Sequence, residues 1–240
     1  MFAVIFEVQP REGRTEDYLA LAKQLKSKLE ATDGFIDNER FKSKRDPRRM
    51  LSLSTWRDEK AVVRWRTHAE HHGVQERGRF DVFEDYHLRV GEITFDDAPP
   101  QGLAVRNDRM DETQAGEAKT LTITEVTLAD GATLQAQPDV LPAHLRLDTA
   151  TGDLVSVEVF ESIYHPGKLA LLAAWHSAQA AERWIPSRPP AARAVRHRRI
   201  RVIRDYGMFD RREAPQYYPE RQRGESSSPA RQAEEAARSA

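Results

Sequence analysis

The sequence predicts an α+β fold with two ferredoxin-like modules, each built in the order βαββαβ. The first observation is an internal repeat: residues 39–65 realign without a gap on residues 158–184, and nine of the 27 positions are identical. Both copies carry two tryptophans at the same spacing, Trp56 with Trp65 and Trp175 with Trp184. Because Trp is rare, this match favours a duplicated structural unit. The second observation is the order in which strand-like and helix-like periodicities follow each other along the chain.

The first half of the N-terminal module predicts a strand, a helix and a second strand. Residues 2–8 are rich in β-branched and aromatic side chains and stop at Gln9-Pro10, which is typical of a buried strand. From Glu16 to Leu29 the apolar residues recur at helical spacing, and Thr32-Asp33-Gly34 ends the run. Residues 35–41 predict the second strand.

The second half of this module continues with a strand, a helix and a strand. Residues 50–56 predict the third strand, and Asp58 is placed to cap a second helix. We expect that helix to continue to about Glu76. Residues 83–95 predict the last strand, which completes the ferredoxin-like order with both helices on one face of an antiparallel sheet.

The second module follows the same order with shorter helices. Residues 120–126 and 199–204 predict its first and last strands, a helix over 140–147 is interrupted by prolines, and a helix over 178–184 is stopped by Pro186. An aromatic segment after the last strand is expected to pack on the body as an extended arm. The predicted boundaries are 1–95 for the first module, 96–118 for a linker, 119–206 for the diverged second module, 207–220 for the arm and 221–240 for a disordered tail.

Composition limits the function classes. The chain has 37 Lys and Arg against 38 Asp and Glu, so no global charge attracts nucleic acid or an anionic membrane. It has no cysteine, which excludes disulfides, thiolate catalysis and Cys-ligated metal centres. The N-terminal residues do not have the pattern of a secretory signal, so we expect a cytoplasmic protein. No phosphate loop, dinucleotide fingerprint or nucleophile elbow is present, which disfavours ATP, NAD and acyl-enzyme chemistry.

Residues 53–72, with both tryptophans and His68, His71 and His72, followed by Phe83-Glu-Asp-Tyr86, resemble the antibiotic biosynthesis monooxygenase (ABM) family. The resemblance covers 1–95 as a full member and 119–206 as a diverged one. It implies that the two antiparallel sheets pair into an α+β barrel, either within one chain or between the chains of a homodimer.

The same resemblance implies cofactor-independent oxygenation of a small aromatic or quinol-type compound. The alternatives are a haem-binding or haem-degrading protein, and a non-catalytic module that binds a small molecule or serves assembly. Neither family pattern is complete, because Phe6 and Gln75 stand where the haem-degrading branch has Asn and His, and Ala61 stands where the quinol-oxidising branch has Asn.

The candidate site residues come from helix phase and strand position. In one continuous helix Trp65, His68 and His72 share a face, so Trp65 is expected to bound a pocket and His68 or His72 to act as the base. The alternative is a solvated helix end. Tyr86 is expected to orient a substrate oxygen, and Glu39 and Phe41 to contact the substrate; their alternatives are ordinary strand and sheet positions. No metal site is expected, since His68 and His72 give only two ligands.

The one concentration of basic residues, 193–201, could hold an acidic ligand. Its alternation on a predicted strand favours pairing with acidic strands or solvent.

Overall fold

The computed structural model describes residues 1–130, 132 and 140–218. The predicted tail from residue 221 and Pro138 lie outside these described residues. The N-terminal module contains β1 (Phe2–Pro10), α1 (Thr15–Glu30), β2 (Phe35–Ser43), β3 (Met50–Trp56), α2 (Glu59–Arg66), α3 (Ala69–Arg77), a π-helical turn (Gly78–Val82) and β4 (Phe83–Asp96). The second half contains β5 (Thr120–Leu128), α4 (Val140–His144), β6 (Leu154–Ser162), β7 (Lys168–Trp175), α5 (Ala178–Arg183) and β8 (Ala192–Gly207).

The α+β class and the antiparallel sheet are confirmed. Every strand pair is antiparallel, and the eight strands follow the order β1-β3-β2-β6-β7-β5-β8-β4 in a closed barrel. Each half contributes four adjacent strands. The helices lie outside, so every strand has one face toward the barrel interior and one toward a helix or solvent.

The barrel interior holds the main hydrophobic core. Its side chains come from alternate positions of the strands, as the two-residue period of a strand requires. In β1, for example, Ala3 and Ile5 point inward, whereas Val4 and Phe6 point toward the helices. The other interior residues include Phe41, Leu51, Leu53, Ile93, Leu121, Ile123, Phe160, Leu172, Ile200 and Val202.

The junction of β2 with β6 is short and reciprocal. Phe41 lies opposite Ser162, and Ser43 lies opposite Phe160. The Ser43 hydroxyl donates to Glu158 at 2.6 Å, and the Ser162 hydroxyl donates to Glu39 at 2.5 Å. At this junction the two halves therefore make one contact twice.

The second helix of the N-terminal module starts as predicted and ends too early. The Asp58 carboxylate accepts from the Ala61 N–H at 2.8 Å, which is the expected cap. The prediction of one helix to Glu76 is wrong, because α2 ends at Arg66 and His68 is extended before α3 begins. No residue of α3 is fully buried, so little apolar packing drives a straight continuation.

The segment after β8 packs on the N-terminal module. Met208 is buried against Val8, Tyr18 and Phe83. Tyr218 lies beside Phe80, with ring centroids 6.5 Å apart. Among the described residues, no helix is both long and apolar enough to cross a membrane.

Candidate functional site

A cavity of about 200 Å³ lies between the outer face of the N-terminal half of the sheet and the helices that cover it. Its walls come from β1 to β4, β8, all three N-terminal helices and the segment that follows β8. The cavity therefore combines residues from both ends of the chain.

The cavity floor consists of two rows of side chains that run across the sheet. The strand register places Val4 beside Ser54 and Val90, and Phe6 beside Ser52 and Leu88. Both rows are apolar in the middle and polar at the ends. From β2 to β8, the complete rows are Asn38, Ser54, Val4, Val90 and Arg204, and Arg40, Ser52, Phe6, Leu88 and Tyr206.

The cavity roof is mostly apolar. The buried face of α1 lies over the floor with Tyr18, Leu21, Leu25 and Leu29. Trp65 closes the roof from α2, and its ring lies 6.5 Å from the ring of Trp56 with an interplanar angle of 28°. The floor and the roof leave a partly open space that suits a small, largely apolar molecule.

The structure brings His71, rather than His68 or His72, to the cavity. The His71 ring stacks on Trp65 with centroids 4.2 Å apart and an interplanar angle of 17°, and it lines the cavity. His72 is exposed, and neither His68 nor His72 lines the cavity. The predicted shared face required a continuous helix; the break between α2 and α3 shifts the helical phase and replaces both residues with His71.

His71 has a defined protonation state. Burial, with the nearby His68 and His72, lowers the pKa of His71 to about 4, so the ring is neutral at physiological pH. Its Nδ1 lies 2.9 Å from the Trp65 carbonyl oxygen. Because a carbonyl only accepts, Nδ1 carries the proton and donates, and Nε2 is left as the accepting nitrogen.

Tyr86 lines the cavity, and its contact with a substrate stays a prediction. Its ring lies 5.7 Å from that of Phe6 and 6.2 Å from that of Phe83. Its hydroxyl oxygen accepts from Arg211 Nη1 at 2.7 Å and from Arg79 Nη1 at 3.2 Å. With both acceptor positions used, the Tyr86 proton is available for donation to a ligand.

Four arginines surround this side of the cavity: Arg66, Arg79, Arg204 and Arg211. The only acidic residue among the described residues that line the cavity is Glu59, and Glu59 is ion-paired with Arg109. No motif or periodicity in the sequence marks these four arginines. They are far apart in the sequence, and only the packing of the last segment on the N-terminal module brings them together.

Glu39 and Phe41 lie away from the cavity. Phe41 is fully buried in the barrel interior, and the Glu39 carboxylate binds Ser162, His165 and Lys168 at the β2–β6 junction. Strand alternation explains this placement, because Asn38 and Arg40 occupy the cavity side of β2. The expectation that Glu39 and Phe41 contact a substrate beside Trp65 is corrected accordingly.

The basic run on β8 is mainly paired, as the alternation favoured. Arg196 binds Asp96 at 2.7 Å, Arg198 binds Glu125, and Arg201 lies 3.7 Å from Glu92. Within the described part of the chain, no group of three or more His, Cys, Asp or Glu residues is arranged to hold a metal ion.

Comparison with known proteins gives a family and a relative that matches most of the chain. The model of the family described as "Antibiotic biosynthesis monooxygenase" matches residues 1–77. A protein named "Jasmonate monooxygenase ABM" from Pyricularia oryzae is 41% identical over 223 residues, which covers 91% of this chain and 99% of that protein. The uncharacterized protein YqjZ from Bacillus subtilis is 30% identical over 92 residues, which covers 38% of this chain and 78% of that protein. A solved structure of a putative monooxygenase from Lactobacillus acidophilus is 8% identical, covers 85% of this chain and 94% of its own, and gives a TM-score of 0.38.

Proposed function

This chain belongs to the antibiotic biosynthesis monooxygenase family, and on that premise we propose that it oxygenates a small, largely apolar ring compound in the cavity beneath α1. The observation that carries the proposal is that Tyr86 and the neutral imidazole of His71 line the same cavity, whose floor and roof are largely apolar. The compounds to test are jasmonate, which the name of the Pyricularia oryzae relative specifies, and small aromatic or quinol-type compounds.

The proposed reaction uses no cofactor, so the substrate must supply the electrons that reduce oxygen. A methylene group activated by a neighbouring carbonyl or aryl ring satisfies this requirement: R₂CH₂ + O₂ gives R₂C=O + H₂O. Loss of a proton gives an electron-rich anion, oxygen adds to its carbon as a peroxide, and loss of water leaves the carbonyl. One oxygen atom enters the product and the other leaves as water.

In this proposal Tyr86 donates a hydrogen bond to the substrate oxygen that carries the negative charge. A donor placed at a developing oxyanion contributes about 3 to 4 kcal/mol to the lowering of a barrier. Arg79 and Arg211 hold the Tyr86 hydroxyl from the other side, and their positive charges favour the deprotonated substrate.

The role of base, first expected for His68 or His72, is assigned to Nε2 of His71. With a pKa of about 4, accepting a proton from a phenol of pKa about 10 costs about 8 kcal/mol. A methylene next to a ketone is a much weaker acid than a phenol, so its deprotonation costs more. The barrier for a typical kcat of about 10 s⁻¹ is about 16 kcal/mol. The imidazole alone is therefore a poorly matched base, and the proposal depends on stabilisation of the anion by Tyr86 and the arginines.

Cofactor independence also means that substrate, and not haem, occupies the cavity. A volume of about 200 Å³ is below the roughly 300–1,000 Å³ typical of sites for drug-sized ligands, so a haem macrocycle does not fit unless the helical roof opens. Titration with hemin checks this point. A saturable, stoichiometric Soret band that is lost in His71→Ala would overturn cofactor independence.

The experiment for the proposed function measures transfer of oxygen from ¹⁸O₂ to jasmonate and to a panel of activated ring methylenes and hydroquinones. We expect one labelled oxygen atom per product molecule and one O₂ consumed per turnover without added reductant. Tyr86→Phe keeps the ring packing and should lower kcat/KM by about 10²- to 10³-fold. The matched variant Tyr164→Phe, at a side chain 54% exposed, should not change it.

Two outcomes would contradict the proposal. Binding of these compounds without label transfer would remove the oxygenase assignment and favour a binding module. Label transfer that requires a two-electron reductant such as a nicotinamide would show hydroxylation of an unactivated C–H bond. It would contradict the proposal that the substrate supplies the electrons.

A further inference from the structure

We propose that the arginine cluster, defined as Arg66, Arg79, Arg204 and Arg211, binds a carboxylate of the substrate. The substrate class would be small monocarboxylic acids with an apolar ring body. This inference rests on the proposed function, because it concerns the molecule that the cavity oxygenates, and it adds the recognition group and the residues that select it.

Three members of the cluster, Arg66, Arg204 and Arg211, have no carboxylate at ion-pair distance among the described residues. Other arginines of β8 are treated differently, since Arg196 and Arg198 each bind an acidic side chain. Buried charges are normally paired. Three half-buried guanidinium groups that have no carboxylate partner among the described residues therefore favour an anion in the cavity that they line.

One member of the cluster, Arg211, is already held in place. Arg211 donates to the Tyr86 hydroxyl at 2.7 Å and to the Gln216 carbonyl at 2.9 Å. Its guanidinium also lies 5.5 Å from the ring centre of Tyr206 and 5.2 Å from that of Tyr218. A cation fixed by its surroundings loses little conformational entropy when it binds a ligand, which favours selective recognition.

Two residues that line the cavity have hydrogen-bond donors without a partner in the described part of the chain. Nε of Arg66 and the hydroxyl of Tyr218 are buried without a hydrogen-bond partner among the described residues, and both residues line the cavity. A buried donor without a partner costs stability. A carboxylate accepts about four hydrogen bonds, so one carboxylate can serve these donors together with the guanidinium groups.

The cavity shape selects the rest of the molecule. Apolar Val4, Phe6, Leu88 and Val90 occupy the middle of the floor next to Arg204 and Tyr206. A ligand with its anionic group at the β8 end therefore places an apolar body over this floor and beneath Trp65. Guanidinium groups match the planar geometry of a carboxylate.

The test compares jasmonic acid with its uncharged methyl ester, because the two ligands share one apolar body. Binding is measured by titration calorimetry without oxygen, so turnover is not required. We expect wild type to bind the acid at least tenfold more tightly than the ester. Arg204→Gln and Arg211→Gln should each weaken acid binding about 10- to 100-fold and leave ester binding within about twofold.

The control is Arg193→Gln, which removes the same charge from the same strand. Its side chain is 64% exposed and its ion-pair partner is Asp130, away from the cavity. It should leave the affinities for acid and ester unchanged. Retained ester binding in the two cavity variants shows that they are folded.

Several outcomes would overturn the inference: equal wild-type affinity for acid and ester, equal loss of both ligands in Arg204→Gln and Arg211→Gln, no binding of the acid, or displacement of the acid by inorganic phosphate at matched ionic strength. These results are distinct from failure of the proposed function. Selective binding of the acid without transfer of ¹⁸O would retain the carboxylate site and remove the oxygenase, whereas label transfer with no preference for the acid would do the reverse.

Discussion

At the residue scale, His71 shows how a local contact sets a chemical state. The Trp65 ring covers one face of the imidazole, and the Trp65 carbonyl fixes the proton on Nδ1. His197 has a comparable state in the second half of the chain, where its Nδ1 lies 2.8 Å from the Thr124 hydroxyl. Burial and the charges of Arg199 and Arg198 lower the pKa of His197 to about 4.

These two imidazoles predict a loss of stability in acid. A histidine with a pKa of about 6.5 in the unfolded chain and about 4 in the fold binds more protons when unfolded. The free energy of unfolding is therefore retained above pH 6.5 and falls as pH decreases toward 4. Each imidazole should contribute about 2 to 3 kcal/mol to the loss between pH 7.5 and 4.5.

Urea unfolding of wild type, His71→Gln and His197→Gln across this pH range measures the two contributions. Carboxylates also titrate in this range, so the readout is the difference in slope between wild type and each variant. His176→Gln, at a side chain 45% exposed, is the control. If the free energy of unfolding changes with pH equally in His71→Gln and in wild type, the assignment of a neutral His71 imidazole with a lowered pKa is wrong.

At the element scale, a bulge in β8 determines which of its residues reach the cavity. The pairing of β4 with β8 changes register between Val90 and Gly91, so that Val90 lies opposite Arg204 and Gly91 opposite Val202. Val202 belongs to the barrel core, whereas Arg204 lines the cavity. Without the extra residue of the bulge, strict alternation would place the Val202 and Arg204 side chains on the same face of the sheet.

Gly91 is the residue that permits this bulge. A Cβ at position 91 would lie 2.3 Å from the Arg201 carbonyl oxygen and 2.5 Å from the Ile200 side chain. We predict that Gly91→Ala destabilises the fold by about 1–3 kcal/mol and lowers the affinity of the cavity for jasmonic acid at least tenfold, because it displaces Arg204.

Gly152→Ala is the matched control, since a Cβ at that position meets no atom within 4 Å. Chemical denaturation and calorimetric titration of both variants check the prediction. If Gly91→Ala binds jasmonic acid as tightly as wild type does, the bulge does not position the binding site.

The bulge and the helix break also show where sequence reasoning succeeded and where it could not succeed. Hydrophobic periodicity identified β1 to β5 and the start of α2 because these depend on local burial and on the cap at Asp58. The last strand was predicted over 199–204, whereas β8 begins seven residues earlier, at Ala192. Trp65 and Tyr86 were found because they lie on such elements. His71 and Arg204 were missed because each depends on a local change of phase that the hydrophobic period does not show. For His71 this change is the break between α2 and α3, and for Arg204 it is the bulge in β8. Arg211 was missed because it lies near Tyr86 only when the segment after β8 packs on the N-terminal module.

At the scale of the whole molecule, the β2–β6 junction explains part of the identity between the two copies of the repeat. Three of the nine identical pairs, Glu39 with Glu158, Phe41 with Phe160 and Ser43 with Ser162, lie there. Each serine donates to the glutamate of the opposite strand, as in an isologous contact between two copies of one surface. These identities therefore serve the contact between the two halves, and the cavity, which is built on the N-terminal half and the last segment, makes no use of them.

The reciprocal contact predicts a pairwise coupling with no effect on chemistry. Ser43→Ala and Glu158→Gln should each reduce the free energy of unfolding, and the double variant should lose less than the sum of the two, with a coupling of about 0.5–3 kcal/mol. Ser43→Ala combined with Glu39→Gln should instead be additive within about 0.5 kcal/mol, because Glu39 binds the other serine. Urea denaturation gives the coupling energies, and ¹⁸O transfer by the same variants should equal that of wild type, since none of these side chains lines the cavity. If Ser43 is coupled to Glu39 as strongly as to Glu158, the contact is not a specific reciprocal one. If Glu39→Gln loses oxygen transfer while its stability is unchanged, Glu39 contacts the substrate after all.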